Sequence, residues 1–135
     1  MPGLPLRRRA TSPQTLERAR AELDRVLGVL DEAASTGNLA RLGQALTGDA
    51  LSEVQGRFRA YQMAGIQVSP YRESLHLEVG AGVSPGRLWV RVRYRDRTSF
   101  MAPGIAPASA NDPVLLRLEF ETAGAVWRVA SLLEE

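Results

Sequence analysis

The sequence predicts one α+β domain, in which three N-terminal helices pack on one face of a four-stranded antiparallel sheet. Through the first half of the 135-residue chain, apolar residues recur every three or four positions, as they do along one side of a helix. After Pro70 they recur at every second position, as in a strand with one buried face. Most segments between the alternating stretches are short enough for hairpins, which favours antiparallel strands with the helices on one side.

The first eleven residues are predicted to be a flexible basic arm, because prolines and a glycine precede Arg7, Arg8 and Arg9. Residues 12–135 then form one domain, and a chain of this length usually buries about 70% of its unfolded surface. No apolar run approaches the roughly 20 residues of a membrane helix. The opening residues also lack the apolar core of a secretory signal. We therefore expect a cytoplasmic protein without a membrane span.

The first helix is predicted to begin at Pro13, because Ser12 is a favourable N-cap and proline is favourable at the first helical position. Gly37 predicts its end. One apolar stripe runs along it, formed by Leu16, Ala19, Leu23, Leu27 and Leu30.

Two further helices are predicted before Gly65. Asn38 is placed to cap a short helix, which carries Leu39, Leu42 and Leu46. Asp49 is placed to cap the third helix, whose apolar stripe is formed by Leu51, Val54, Phe58 and Tyr61.

Four strands are predicted around residues 75–79, 87–98, 116–121 and 127–131. In the second strand, alternation turns Val90 and Val92 towards the helices and the arginines away from them. In the last strand, one face is predicted to hold Trp127, Val129 and Ser131. The proline-containing segment 99–112 is predicted to be a long loop that serves as a lid, an interface or a bent strand extension.

The charge balance gives little support for nucleic-acid binding. All 17 basic residues are arginines, whose high pKa raises the isoelectric point to 9.7 although the net charge is only +2. Three of them lie in the arm, so the rest of the chain has 14 arginines and 15 acidic residues. The domain itself is nearly neutral and lacks the large basic excess of a nucleic-acid binder.

The end of the chain resembles the last strand of the nuclear transport factor 2 superfamily, the cystatin-like cone folds. The resemblance rests on the glycine turn at Gly124 and on Trp127-Arg128-Val129, a tryptophan entering the final strand. Residues 42–61 are similar to the helix-turn-helix of one domain of that superfamily. It occurs in the intermembrane-space region of chloroplast division proteins and in many bacterial proteins. The resemblance implies a curved sheet and a cone-shaped domain, a fold that hosts enzymes, binding domains and assembly modules.

A pocket between the helices and the sheet is the candidate site for a small molecule. Alternation places Tyr94 and Asp96 on the inner side of the sheet, and Tyr61 lies on the stripe of the third helix. The enzymes of the resembling superfamily hold acids and tyrosines there, and such a pair would polarise a carbonyl or move a proton. The alternative is that Asp96 forms a surface ion pair and that Tyr61 is a core residue with its hydroxyl in water.

The outward side of the second strand is the candidate interface. Trp89 leads a row of arginines spaced about 7 Å apart, namely Arg91, Arg93, Arg95 and Arg97. One interpretation is a track for phosphates with an aromatic platform for a base. A second is a ladder of ion pairs with acidic residues of the neighbouring strands, Glu78, Glu119 and Glu121. A third, which we favour over nucleic acid, is a protein interface, because tryptophan and arginine are enriched in interface hot spots.

The sequence favours a non-enzymatic domain that acts through protein–protein contact, as a homodimer or as a docking module. Without cysteine and with a single histidine, the chain lacks thiolate chemistry, disulfides and any metal centre that needs two histidines. We assign no catalytic residue, metal ligand or cofactor. A pocket that binds a small molecule, with or without lyase or isomerase chemistry, is the first alternative. Nucleic-acid binding through the arginine-rich strand is the second.

Overall fold

The computed structural model describes residues 12–80 and 85–135, which form two α-helices, one 3-10 turn and seven strands. The predicted arm, with Arg7, Arg8 and Arg9, lies outside the described residues. In chain order the elements are α1 (Pro13–Thr36), the 3-10 turn (Leu42–Gln44), α2 (Gly48–Met63), β1 (Gln67–Ser69), β2 (Arg72–Val79), β3 (Arg87–Asp96), β4 (Ser99–Ala102), β5 (Ile105–Ser109), β6 (Asp112–Glu121) and β7 (Arg128–Glu134).

The ends of α1 are those that the sequence predicts. The Ser12 side chain accepts a hydrogen bond from the Thr15 amide, and Gly37 ends the helix in the left-handed conformation with φ +78°. The predicted apolar stripe is only partly correct, because Leu16 is exposed. The residues of α1 that are buried are Ala19, Leu23, Val26, Val29 and Ala33.

The second of the three predicted helices is wrong: residues 42–44 form a single 3-10 turn. The chain cannot continue as a helix because its next backbone groups bond to β7 instead. The Thr47 amide donates to the Val129 carbonyl at 2.9 Å, and the Val129 amide donates to the Ala45 carbonyl at 2.8 Å. Leu42 and Leu46 are fully buried by this arrangement. The third predicted helix exists as α2, but its N-cap is Thr47, and Asp49 lies in the first turn.

The main sheet holds the four predicted strands in the antiparallel order β2-β3-β6-β7. Its inner face is the predicted one, because Val90 and Val92 of β3 are buried while Arg91 and Arg93 are exposed. Leu118 and Phe120 of β6 and Val129 of β7 are buried beside them.

A bulge in β7 changes the face on which Ser131 lies. Glu119 is opposite Ser131, but Phe120 is opposite Val129, so Ala130 has no partner of its own in β6. The predicted sharing of one face by Val129 and Ser131 is therefore wrong. Leu132, opposite Leu118, packs against the core instead.

A second sheet of three strands, in the order β1-β4-β5, was not predicted. The loop predicted over residues 99–112 is wrong, because β4 and β5 form an antiparallel hairpin that turns at Gly104, where φ is +75°. All five residues of β5 are exposed, so the sequence carries no alternation of apolar and polar residues there. The prediction of three helices on a single four-stranded sheet is thus corrected to two helices with two antiparallel sheets, and the domain remains α+β.

Candidate functional site

A cavity of about 190 Å³ lies between the helices and the inner side of the main sheet. The three predicted pocket residues, Tyr61, Tyr94 and Asp96, all line it. Most of the wall is aliphatic or aromatic, with side chains from both helices and both sheets, among them Leu23, Val26, Leu30, Val54, Phe58, Val68, Val92, Phe100, Leu116 and Leu118. The structure therefore brings the predicted residues to one space, and their role as a site remains a prediction.

An ion pair forms one polar part of this wall. Arg72 at the start of β2 donates from Nη1 to Asp31 Oδ2 of α1 at 2.9 Å, and its Nη2 lies 2.9 Å from Asp31 Oδ1. The Arg72 guanidinium also lies over the Tyr94 ring, 5.7 Å from the ring centroid. Neither charged residue was predicted from the sequence as part of the pocket. The available signal was the position of Asp31, four residues after Leu27 on the apolar side of α1.

Burial and neighbouring charges shift the pKa values of Tyr94 and Arg72. Burial raises the pKa of Tyr94, because the phenolate is poorly solvated there. The nearby Arg72 opposes this shift without cancelling it, and the negative charges of Asp96 and Glu134 add to it. Burial alone would lower the pKa of Arg72, but the Asp31 carboxylate outweighs burial and raises it. Tyr94 is therefore a neutral hydrogen-bonding phenol at neutral pH, and Arg72 is a cation whose charge Asp31 balances.

Asp96 is half-buried at the end of β3, where its side chain bonds to Thr98. It forms no surface ion pair within the described part of the chain. Its Oδ1 accepts hydrogen bonds from the Thr98 amide at 3.0 Å and from the Thr98 hydroxyl at 2.7 Å. The neighbouring arginines have other partners, because Arg95 donates to Asn111 and Arg97 pairs with Glu73 at 3.2 Å. The expected pairing of Asp96 with an arginine is therefore wrong.

Tyr61 is held by aromatic contacts on the α2 side of the cavity. Its ring lies 6.4 Å from the Phe58 centroid and 5.8 Å from the Phe100 centroid. Its hydroxyl has no hydrogen-bond partner among residues 12–80 and 85–135. Arg57 of α2 also lines the cavity and makes no ion pair with any described residue.

The second candidate site is the outer face of the main sheet, away from the helices. Three rows of opposed residues define it: His76–Arg93–Leu115, Glu78–Arg91–Arg117–Leu133 and Trp89–Glu119. Along each strand these side chains alternate with the buried ones, so they point to the opposite face of the sheet. Five of them surround a depression of about 150 Å³, namely His76, Glu78, Arg91, Arg93 and Leu115.

The charges of the outer face are only partly neutralised by its own acids. Arg87 forms ion pairs with both Glu119, at 3.0 Å, and Glu121, at 3.5 Å. Arg91 lies opposite Glu78 but pairs with Glu135 at 3.1 Å. The predicted ladder therefore forms at Arg87, outside the row of arginines for which it was expected.

Two arginines of the three rows have no acidic partner within the described segments, and Arg95, farther along the same side of β3, donates only to Asn111. Arg93 makes no ion pair, and Arg117 lies over the Trp89 ring, 4.9 Å from its centroid. Arg117 is also directly opposite Arg91 in the sheet, an arrangement of like charges that is unfavourable within the chain itself. The centre of the outer face therefore carries an excess of positive charge.

Comparisons with known proteins establish the fold. No protein-family model and no curated protein matches the sequence. The structure is similar to the intermembrane-space region of the chloroplast protein ARC6, with a TM-score of 0.75 at 13% identity over 93% of this chain and 98% of that one. A protein from Catenulispora acidiphila gives 0.60 at 13% identity, over 90% and 94% of the two chains.

The beta subunit of benzoate 1,2-dioxygenase from Burkholderia mallei gives a TM-score of 0.54 at 15% identity, over 94% of this chain and 91% of that subunit. These similarities confirm the predicted nuclear transport factor 2-like cone fold, and at such identities they show the fold alone.

A membrane-spanning helix and a metal-binding cluster are both absent from the described residues. None of the helices in that part of the chain is both long and apolar enough to span a membrane. Residues 12–80 and 85–135 also contain no cluster of three or more histidine or carboxylate side chains placed to hold a metal ion.

Proposed function

We propose that the chain is a non-enzymatic cone-fold domain that docks on an acidic surface of a partner protein through the outer face of its main sheet. The observation that carries this proposal is the uncompensated charge of Arg93 and Arg117 around the half-buried Trp89. Leu133, which is 51% exposed, and Leu115 add apolar area to the same surface. An aromatic ring and arginines around an apolar centre have the composition of an interface hot spot.

Two features of the outer face favour protein over nucleic acid. The guanidinium of Arg117 covers the Trp89 ring, so a base would have to displace it in order to stack on that side. Glu78 and Glu119 lie opposite Arg91 and Trp89, where they would repel a phosphate backbone. A protein surface can place separate carboxylates next to Arg93 and Arg117 without approaching these acids.

The charge of the outer face also favours a different protein over a second copy. In a symmetric dimer through this surface, the arginines of one copy would meet those of the other. Like charges brought together across an interface cost binding free energy. A homodimer would have to be displaced along the sheet so that Arg93 meets the acidic border around Glu121.

The proposal is tested by titrating the full chain with a glutamate-rich peptide that contains no tryptophan, followed by fluorescence and calorimetry. Arg93→Glu should weaken binding at least about tenfold, which corresponds to roughly 1.4 kcal/mol. The matched control is Arg59→Glu, the same charge change at an exposed position of α2 that has no ion pair within the described residues. It should leave the affinity within about twofold.

The other arms of the test distinguish the alternatives. Equal weakening by both variants would contradict the proposal, because it would reflect net charge alone. Tighter binding of oligothymidylate than of the peptide would favour the nucleic-acid interpretation instead. Light scattering could instead show a dimer that Arg93→Glu dissociates. That result would identify a second copy of the chain, and not an acidic partner, as the protein bound by the outer face.

A further inference from the structure

We propose that two copies of this chain associate through a surface that carries no charge. The surface is formed by residues 60–71 and 98–111, and we call it the uncharged surface. It belongs to the second sheet and the end of α2, whereas the outer face belongs to the main sheet. The inference therefore goes beyond the proposed function, and neither depends on the other.

The lack of charged side chains sets these two segments apart. Residues 60–71 and 98–111 contain no arginine, aspartate or glutamate, although charged residues make up 24% of the whole chain. All of β1, β4 and β5 lies within the two segments. A symmetric contact through the outer face would bring arginines together, whereas two copies of the uncharged surface meet without such repulsion.

Large apolar side chains are exposed in the same two segments. The described part of the chain exposes seven of them, and four lie on the uncharged surface, namely Met63, Tyr71, Met101 and Ile105. Met63 is 89% exposed and Ile105 is 69% exposed. Protein interfaces are enriched in methionine and aromatic residues and depleted of charge at their centre. The composition of this surface is therefore that of an interface core.

The two segments lie side by side in the fold. The antiparallel pairing of β1 with β4 joins the first segment to the second. Just after α2, a Cβ added to Gly65 would lie 3.8 Å from Pro103 Cδ. Met63 precedes Gly65 by two residues, and Ile105 follows Pro103 by two. The two most exposed apolar side chains thus belong to neighbouring segments, and contiguous apolar area of this kind marks interaction sites.

A groove and a hairpin are next to each other on this part of the molecule. The groove has a volume of about 560 Å³, lies between the ends of α1, α2 and β4, and has no charged residue in its lining. The β4–β5 hairpin turns at Gly104, and Ile105 is exposed beside the turn. In a dimer with two-fold symmetry, the hairpin of each copy would enter the groove of the other, because every contact occurs twice in such an interface.

The size and the edge of the uncharged surface favour side-chain packing between two copies. Specific interfaces use about 20–30 residues on each side, and the two segments contain 12 and 14 residues. β5 is an edge strand of the second sheet, but Pro107 lacks the amide hydrogen with which an added strand would pair. A partner selected by its charge would find no complement on this surface, whereas a second copy is equally uncharged.

The test is sedimentation equilibrium of the full chain, with light scattering as a second measurement. We expect a dimer whose population rises with concentration. Ile105→Glu should weaken self-association at least about tenfold, because a carboxylate without a partner is costly in an apolar interface. Met63→Glu, at the end of α2, should act in the same direction. Both side chains are exposed in the single chain, so both variants should fold, and circular dichroism checks that they do.

Val126→Glu is the matched control, since it adds the same charge at a side chain that is 50% exposed between β6 and β7, outside the uncharged surface. It should leave the dimer intact, as should Arg93→Glu on the outer face. Equal weakening by Val126→Glu, or a dimer that only Arg93→Glu dissociates, would overturn the inference. A chain that stays monomeric but binds the glutamate-rich peptide would overturn this inference and leave the proposed function standing. A monomer that binds phosphatidylcholine vesicles would assign the surface to a membrane instead.

Discussion

At the scale of single residues, the Arg72–Asp31 pair connects the main sheet to α1 across the edge of the cavity. Arg72 is the less exposed partner, at 19%, and Asp31 retains 37% exposure. A charged group in such a position is tolerated because its partner is fixed at 2.9 Å. Removing one partner leaves the other charge poorly solvated, and the effect on stability depends on how much water still reaches it.

Asp31→Asn should lower the free energy of unfolding by about 1–2 kcal/mol, measured by urea denaturation. The loss is smaller than the 3–5 kcal/mol or so typical of fully buried pairs, because solvent screens Asp31 in part. The matched control is Asp24→Asn, whose pair with Arg20 spans 3.9 Å with both side chains more than half exposed. That variant should change stability by less than about 0.5 kcal/mol. Equal effects of the two substitutions would show that the Arg72–Asp31 pair has no special contribution.

Tyr94 predicts a fall in stability at alkaline pH. Its pKa in the folded state is raised above the ordinary value of 10.0, so the folded state holds the phenolic proton more tightly than the unfolded state does. The resulting stability is fully present below pH 10 and is lost as the pH rises through the folded-state pKa. Wild type should therefore lose stability relative to Tyr94→Phe as the pH rises from 10 through the folded-state pKa of Tyr94. A difference that stays constant over this range would contradict the assignment.

At the scale of elements, the first helix could be predicted from the sequence almost to the residue, because its two ends depend on local chemistry. Ser12, Pro13 and Gly37 act through their own backbone preferences, which any fold would respect. The segment after Asn38 could not be predicted in this way. Its three leucines have helical spacing, but the hydrogen bonds of Ala45 and Thr47 to Val129 come from a strand more than 80 residues later.

The same difference between local and long-range determinants explains which strands could be predicted. Alternation in β3 and β6 reports burial on one side and predicts both faces correctly. It fails for β5, which is exposed throughout, and for the bulged end of β7, where one inserted residue reverses the pattern. Tyr61, Tyr94 and Asp96 were found because they lie on regular elements. Arg72 was missed because β2 begins with an irregular register and a positive φ at Ser74.

Two glycines of α1 should respond in opposite directions to alanine. Gly28 lies within the helix and an added Cβ would meet no atom within 4 Å, so Gly28→Ala should stabilise the protein by about 0.5–1 kcal/mol. Gly37 has φ +78°, and its added Cβ would lie 2.8 Å from Gln62 Nε2, the group that donates to the Gly37 carbonyl. Gly37→Ala should destabilise by more than about 1 kcal/mol. Thermal unfolding of the two variants measures both effects, and a stabilising shift for Gly37→Ala would refute the cap geometry.

At the scale of the whole molecule, the cone presents two surfaces of different chemistry on opposite sides of one sheet. The inner side combines apolar walls with a balanced set of charges around the cavity. The outer side carries arginines that its own acids neutralise only in part, because Arg93 and Arg117 have no acidic partner within the described residues. Because the strands between them are shared, β3 positions Tyr94 on one side and Arg93 on the other. Occupation of one surface need not obstruct the other.

We propose the outer face as the surface by which this domain meets another protein. The most direct measurement is photo-crosslinking in cells that produce the full chain, with benzoylphenylalanine placed at position 76, which is exposed directly opposite Arg93, and, as a control, at position 59 of α2. We predict a discrete protein adduct from position 76 that is absent from position 59, with the crosslinked peptide of the partner rich in aspartate and glutamate. An equal adduct from both positions, an adduct with nucleic acid only, or no adduct from position 76 would contradict this prediction.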